Sequence, residues 1–239
     1  MLLYSRKQIP VKNNFFLFIA FLYSISCFGQ ETIGKKNRLS ASVIERFNVL
    51  KSDRETKNGP YKAFFRRKTL IASGNYINGK KTGVWDFYDT EGKLSQKFNY
   101  DKNLFIYVTR LDTTSDLRFL FDEKLKKTDT VTRPLKIGEP YYGYISYVNI
   151  FRLPFDAFDV NTDVFEAEIE LLISPMGRLA EYKVHLVSPY YEYDHTISLD
   201  VNLFSDEDRS FMPATLNHKP ILSRIFIKCA VTSKGLDFY

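Results

Sequence analysis

A two-copy repeat constrains the fold of this 239-residue chain more than any other feature of its sequence. Residues 55–100 align with themselves after a shift of 24 positions, with Lys57 matching Lys81 and Gly59 matching Gly83. The remaining identities are Leu70 with Leu94, Asn75 with Asn99, and Tyr76 with Tyr100. Two more aligned positions hold an aromatic residue in both copies: Tyr61 aligns with Trp85, and Phe64 aligns with Tyr88.

Each copy of the repeat reads as two short strands joined by a turn. In the second copy, Val84–Tyr88 runs into Asp89–Gly92, and a turn with Asp first and Gly last suits a type I turn closed by a left-handed residue. Asn78-Gly79 is a further hairpin signal just upstream. The region therefore predicts a β-meander. Trp85 and Tyr88 either form a binding face for lipid, glycan or protein, or fill the buried face of the sheet itself.

The second copy, Asn78–Leu94, resembles the MORN-repeat variant found in bacterial envelope proteins. The pattern is NG, three residues, G-x-W, two residues, Y, three residues, and G-x-L, and the second copy fits every position. The first copy departs from it, with Lys68 where the hairpin glycine is expected. The resemblance implies an array of β-hairpins over about 55–100 and says little about activity.

The C-terminal region shows clear strand periodicity. Apolar and glutamate residues alternate over Phe165–Ile173, Ser174–Gly177 is a turn, and alternation resumes over Ala180–Leu186. The spacing of Ile197, Val201 and Phe204 predicts an amphipathic helix that starts near Asp194. A further strand follows over 221–231, and a short helix is predicted over Tyr144–Arg152, before Pro154. The predicted order is β-β-α-β.

That order resembles the C-terminal domain of the TonB family of periplasmic energy transducers, over about 145–232. The segments that carry the resemblance are Tyr147–Pro154, Phe165–Leu179, Phe211–Ala214, Asn217–Pro220 and Ser223–Ile227. The chain departs from the family at Phe211, where Trp is frequent, and at His218, where Gly is usual. It also lacks the His-bearing transmembrane helix and the Pro-rich spacer of family transducers. The resemblance implies the fold and binding through an exposed strand edge.

The N-terminus has the pattern of an export signal. Arg6, Lys7 and Lys12 precede an uncharged run over Phe15–Phe28, which is short for a ~20-residue bilayer span but typical of a signal peptide. Cleavage before Gln30 is the main expectation. The alternatives are lipidation of Cys27 after cleavage at Ser26, and an uncleaved anchor. Either would associate the chain with a membrane.

Charge and cysteine content narrow the function classes. Loss of residues 1–29 lowers the formal net charge from +6 to +3, so nucleic-acid binding is not expected. It also leaves Cys229 as a single thiol, which cannot form an internal disulfide. The abundance of aromatic residues, with 21 Phe and 16 Tyr, favours a β-rich fold with large buried side chains.

The sequence offers no credible active site. His185, His195 and His218 lack metal-ligand spacing, so no metal or cofactor is expected. Cys229 lies among apolar neighbours, where a thiol is inert packing. The acidic run Asp206–Asp208 reads as a solvated turn beside Arg209 rather than a pair of catalytic carboxylates. We therefore expect a protein that is not an enzyme.

The predicted class is α+β: an N-terminal antiparallel β-hairpin repeat sheet followed by a small TonB-like β-β-α-β domain. The predicted boundaries are a signal peptide at 1–29, a lead-in at 30–54, repeats at 55–108, a connector at 109–140 and the TonB-like domain at 141–239.

The functional expectation is an exported protein of the periplasm or outer membrane that binds a protein partner. The candidate surface is the edge of the last strand, about 221–232, with Arg224, Phe226 and Lys228 on its outer face; alternatively, the chain itself or a dimer partner covers that edge. Two rival functions remain. One is a membrane-anchored TonB-type energy transducer for outer-membrane transport, and the other is a structural envelope component that binds lipid or glycan through the repeat sheet.

Overall fold

The computed structural model describes residues 31–110, 116–155 and 159–239; the predicted signal segment, including Cys27, lies outside them. Residues 31–110 form a seven-stranded antiparallel meander in which every strand pairs with the next one along the chain. Its strands are β1 (Thr32–Arg38), β2 (Val43–Leu50), β3 (Lys57–Phe65), β4 (Thr69–Ile77), β5 (Lys80–Tyr88), β6 (Leu94–Asn99) and β7 (Leu104–Val108).

The predicted hairpins are confirmed at the level of the backbone. The amide of Gly92 donates to the carbonyl oxygen of Asp89, and Gly92 has a positive φ of 86°. The two aligned glycines, Gly59 and Gly83, both have positive φ as well, at 102° and 66°. The first copy, which lacks the hairpin glycine, turns instead through Arg66 and Arg67 in the left-handed region. The lead-in at 30–54 supplies β1 and β2, so the meander is larger than the repeat.

The second sheet is also antiparallel, and its strands are β8 (Leu117–Phe121), β10 (Glu166–Ile173), β11 (Leu179–Ser188), β12 (Tyr193–Leu199), β15 (Ser223–Thr232) and β16 (Gly235–Asp237). Four of them run in the order β12-β11-β10-β15. On its far side, β15 pairs with both β8 and β16. A small third sheet, in the order β14-β13-β9, joins β9 (Val131–Thr132), β13 (Ala214–Leu216) and β14 (Lys219–Ile221). The segment 109–140, which was predicted as a connector, therefore contributes β8 to the second sheet and β9 to the third.

The predicted helix near 194–204 is wrong, and so is the order β-β-α-β. Tyr193–Leu199 is strand β12, and Val201–Leu203 is a single 3-10 turn. Tyr193, Ile197 and Leu199 lie on one face of this strand and pack on the core, so Ile197, which also fits the helical spacing, satisfies a period of two. The Asp200 side chain accepts from the amide of Asn202 and starts the 3-10 turn that brings Phe204 to the core.

The short helix before Pro154 is confirmed as α1, Ile145–Ile150. The described residues are thus mostly antiparallel sheet with this one short α-helix, which is compatible with a β-rich α+β class. One continuous apolar core joins the two large sheets. Tyr142 lies at their junction, with its ring 5.5 Å from Phe87 and its hydroxyl donating to the hydroxyl of Tyr61 at 2.9 Å.

Candidate functional site

The predicted binding strand, β15, is enclosed along both edges. β10 pairs with one edge, β8 covers residues 223–227 of the other, and β16 covers residues 230–232. The expectation of an exposed edge at 221–232 is therefore wrong, and the alternative that the chain covers it itself is correct. The covering strand β8 comes from about 100 residues upstream. Such long-range pairing leaves no mark in the pattern of β15 alone.

The three side chains predicted on this strand do not form an open binding face. Arg224 is held by Glu170, whose carboxylate lies 2.9 Å from Nε, and by Asp122. The guanidinium of Arg118 lies 4.2 Å above the Phe226 ring and leaves that residue only 8% exposed. Lys228 is exposed, and Arg224 is partly exposed but paired. The outer face of the second sheet is thus neutralised by its own ion pairs.

Trp85 fills the buried face of the repeat sheet. It is fully buried, with ring centroids 5.1 Å from Tyr61, 5.2 Å from Tyr76 and 5.6 Å from Tyr100. Because Trp85 is inaccessible, the prediction that it contacts a partner is wrong. Tyr88 is half-buried at the end of the same strand. The five predicted residues are therefore split between two sheets and do not converge on one surface.

Two free strand edges bound the repeat sheet, and a third lies at β12. Among the described residues, β1 pairs only with β2, β7 only with β6, and β12 only with β11. Charged residues on an edge strand discourage pairing with other chains. β1 carries Lys35, Lys36 and Arg38, and β12 carries Asp194.

β7 is the one of these three edges that has no charged residue. Its sequence is Leu-Phe-Ile-Tyr-Val, and Leu104, Ile106 and Tyr107 are 43%, 52% and 43% exposed. Phe105 turns inward and packs edge-on against Phe98 at 5.0 Å. An uncharged, apolar edge strand with free backbone groups is a template for an added strand. The predicted repeat region ends at residue 108, but nothing in the sequence indicates that this strand ends the sheet.

A buried polar network joins the two large sheets, and sequence reasoning missed it. The Glu139 carboxylate is almost fully buried, and it accepts hydrogen bonds from Arg133 at 2.5 Å, from the Lys136 amide at 2.8 Å and from the Tyr144 hydroxyl at 3.0 Å. From the repeat sheet, the Gln96 side chain donates to the Lys136 carbonyl oxygen at 3.0 Å and accepts from the Gly138 amide at 2.9 Å. The network fixes how the sheets dock, because each buried polar group has a partner.

Lys136 is the most perturbed cation of this junction. Its ammonium donates to the carbonyl oxygens of Glu207, Asp208 and Ser210, and it lies 4.5 Å from the Phe211 ring. Burial lowers the pKa of Lys136 to about 7, while the carboxylates of Asp208 and Glu207 act in the opposite direction. Lys136 therefore holds the 207–210 loop against the core, and we assign it a structural role.

His185, Thr196 and Glu170 have the residue types of a catalytic triad, in which a carboxylate orients a histidine that activates a hydroxyl. His185 lies 3.0 Å from the Thr196 hydroxyl through Nδ1 and 2.6 Å from the Glu170 carboxylate through Nε2. The three residues are cross-strand neighbours on the outer face of the second sheet, where β11 pairs with β10 and β12. Glu170 is shared with Arg224, and Thr196 stands on an open sheet face, whereas acyl transfer needs an enclosed oxyanion site. We interpret the arrangement as cross-strand polar pairing.

Three further features bear on the predictions from the sequence: the environment of Cys229, the clusters of metal-ligating residue types, and the length of the helices. Cys229 is buried, and burial raises the pKa of its thiol well above the usual range. Residues 31–110, 116–155 and 159–239 contain no cluster of three or more His, Cys, Asp or Glu residues that could hold a metal ion. Within the same residues, no helix has the length and apolarity needed to cross a bilayer.

Comparison of the chain with protein-family models, with curated proteins and with solved structures finds no match. The resemblances to the MORN and TonB families therefore stay predictions from the sequence.

Proposed function

We propose that this chain is an exported, non-catalytic protein of the bacterial cell envelope that binds a protein partner by β-augmentation at β7. The observation that carries the proposal is the free, uncharged edge Leu104–Val108 at the end of a seven-stranded sheet. In β-augmentation, backbone hydrogen bonds supply affinity and alternate side chains supply specificity. The free edge of β7 offers both, whereas β15 is enclosed.

The geometry of the rest of the sheet supports β7 as the receiving edge. Phe105 anchors the strand to the core through Phe98, so a partner would meet an ordered strand and would not have to order it on binding. The opposite edge, β1, carries three basic residues that oppose strand addition. A partner strand at β7 would contact Leu104 or Tyr107 on one face and Phe105 on the other.

The test places a photocrosslinking amino acid at Ile106 in cells and, as a matched control, at Thr196 on the free edge of the second sheet at β12. We expect a partner adduct from Ile106 and none from Thr196. Adding the purified partner should slow amide hydrogen exchange over 104–108 but not over 193–199. Ile106→Lys should abolish the slowed exchange without changing the unfolding midpoint. Unchanged exchange over 104–108 in the presence of the crosslinked partner would overturn the assignment to β7.

Export is tested separately by mass spectrometry of the N-terminus of the chain isolated from the envelope. A chain that starts at Gln30 supports cleavage and release. A chain that starts at a lipidated Cys27 supports export with membrane anchoring. A chain that keeps Met1 favours the TonB-type transducer.

A further inference from the structure

The two halves of the chain carry opposite charge. Residues 31–110 hold 17 Lys and Arg against 8 Asp and Glu, whereas residues 111–239 hold 14 against 20. The modest net charge of the whole chain conceals this separation. A net charge of +9 on one sheet creates a field that attracts anionic partners to that sheet.

The positive charge is organised as a row on the outward face of the repeat sheet. The pairing registers place Lys36 beside Arg46 and Arg46 beside Lys62, across β1, β2 and β3. We call these three residues the basic row. Neighbouring strands lie ~4.8 Å apart, so the row spans roughly 10 Å. Arg38 lies two residues from Lys36 and therefore on the same face.

The basic row has no anionic partner among the residues that the structure describes. All three side chains are exposed, and none of them forms an ion pair with a carboxylate of the described residues. On the inner face of the sheet, by contrast, a lysine is paired: the Lys57 ammonium lies 2.6 Å from the Glu45 carboxylate. The Arg46 guanidinium lies 5.0 Å above the half-buried Phe64 ring. All three side chains of the basic row line a shallow groove of about 430 Å³.

The same face continues into exposed apolar residues. The registers run from Lys62 through Ser73, Asp86 and Lys97 to Tyr107, so β5–β7 share the outward face with the basic row. Val84 and Tyr107 are 46% and 43% exposed there. The inner face packs on the acidic second half of the chain through Tyr141 and Tyr142, so this outward face points away from it.

We propose that the outward face of the repeat sheet docks on the surface of an anionic phospholipid bilayer through Lys36, Arg46 and Lys62. The face is broad and lacks a deep cleft, so it suits a planar array of phosphates better than one enclosed ligand. Basic residues beside a lipid surface attract anionic headgroups, and aromatic and apolar neighbours insert at the interface. The bilayer proposal uses the outward side-chain face of the sheet, whereas the proposed partner strand uses the backbone edge of β7; Tyr107 belongs to both surfaces.

The test measures cosedimentation of the full chain with vesicles of phosphatidylcholine mixed with phosphatidylglycerol, and with vesicles of phosphatidylcholine alone. We expect binding to the anionic vesicles that weakens as salt is added. The triple variant Lys36→Gln, Arg46→Gln and Lys62→Gln should lose about a hundredfold in affinity, at roughly fivefold for each cation. Equal unfolding midpoints of the variant and the wild type would show that the fold is kept.

The matched control removes the same charge elsewhere, with Lys124→Gln, Lys219→Gln and Lys234→Gln, which are exposed and unpaired among the described residues. This control variant should bind the anionic vesicles as the wild type does. Any contribution of the N-terminal segment to vesicle binding is equal in the wild type and in the two triple variants. Equal losses in both triple variants would overturn the assignment to the basic row. Binding to a soluble sulfated polysaccharide without binding to anionic vesicles would overturn the bilayer as the partner.

Discussion

Lys57 and Lys81, which are 24 residues apart, occupy equivalent positions in the two copies of the repeat. The ammonium of Lys57 lies 5.0 Å from the Tyr61 ring and 5.4 Å from the Tyr76 ring. That of Lys81 lies 5.3 Å from the Trp85 ring and 5.3 Å from the Tyr100 ring. Each also pairs with a carboxylate. The repeat thus encodes a cation held over two aromatic rings as well as a hairpin.

The two lysines differ in the burial of their acidic partners, and this difference predicts unequal costs of removal. The Glu45 side chain is 3% exposed, whereas that of Glu207 is 52% exposed. Lys57→Met should lower the free energy of unfolding by about 3 kcal/mol, because it leaves a buried carboxylate unpaired. Lys81→Met should cost about 1 kcal/mol, because water can solvate Glu207.

Urea unfolding of both variants measures these costs. Adding Glu45→Leu to Lys57→Met should restore most of the loss, since the unpaired charge is then removed. Equal losses for the two single variants would contradict the explanation by burial.

Gly74 is required by the tryptophan that packs on it. A Cβ atom at this position would lie 2.2 Å from the Trp85 ring, so the ring would have to move within a filled core. Gly74→Ala should therefore destabilise the protein by about 1–3 kcal/mol, the usual cost of overpacking. Gly34→Ala is the matched control, because its Cβ would meet nothing closer than 3.8 Å. That control should stay within about 0.5 kcal/mol of the wild type, and a similar effect of both substitutions would show that the Trp85 contact is not responsible.

The buried Lys136 predicts a pH dependence of stability. Its pKa is about 7 in the folded protein and 10.5 in the reference state, so between these values the unfolded chain holds one more proton. The free energy of unfolding should therefore rise with pH across this window, by about 1.4 kcal/mol per pH unit from this group. The contribution is complete above pH 10.5 and is lost as the pH falls through about 7.

The measurement compares the wild type with Lys136→Met by urea unfolding between about pH 7.5 and 9.5. The difference in unfolding free energy between the two proteins should grow with pH at the slope given above. Parallel pH profiles would mean that the folded and unfolded states bind the same number of protons at this residue.

Cys229 should be unreactive in the folded protein. Its side chain is buried and hydrogen bonds to the Ile227 carbonyl oxygen at 3.5 Å, and burial raises the pKa of the thiol. Because the thiolate is the reactive species, a thiol reagent at about pH 8 should label it only after denaturation. A Cys229→Ser variant should lose that label, and rapid labelling of Cys229 without denaturant would contradict the burial argument.

Local patterns in the sequence determined the hairpins. Asn78-Gly79 and Asp89–Gly92 set their turns through residues that tolerate positive φ, and the alternation over Phe165–Ile173 set a strand, because side chains on a strand point alternately to its two faces. The same local information failed at Ile197 and Phe204. Their spacing fits a helix, but Ile197 alternates with Tyr193 along β12, and Phe204 reaches the core after a 3-10 turn. Only the pairing of β12 with β11 decides between the two conformations.

Only the tertiary structure decided which surfaces are free. The sequence of β15 predicts a strand whether that strand lies at the edge or in the interior of a sheet. Pairing with β8, from about 100 residues earlier in the chain, places β15 in the interior. Trp85 has the same sequence context whether it faces solvent or core, and docking of Tyr142 made it core. The basic row likewise exists only through the register of β1, β2 and β3, because Lys36, Arg46 and Lys62 are 10 and 16 residues apart along the chain. Sequence fixes the conformations of short segments through backbone preferences, whereas exposure depends on which distant segment packs where.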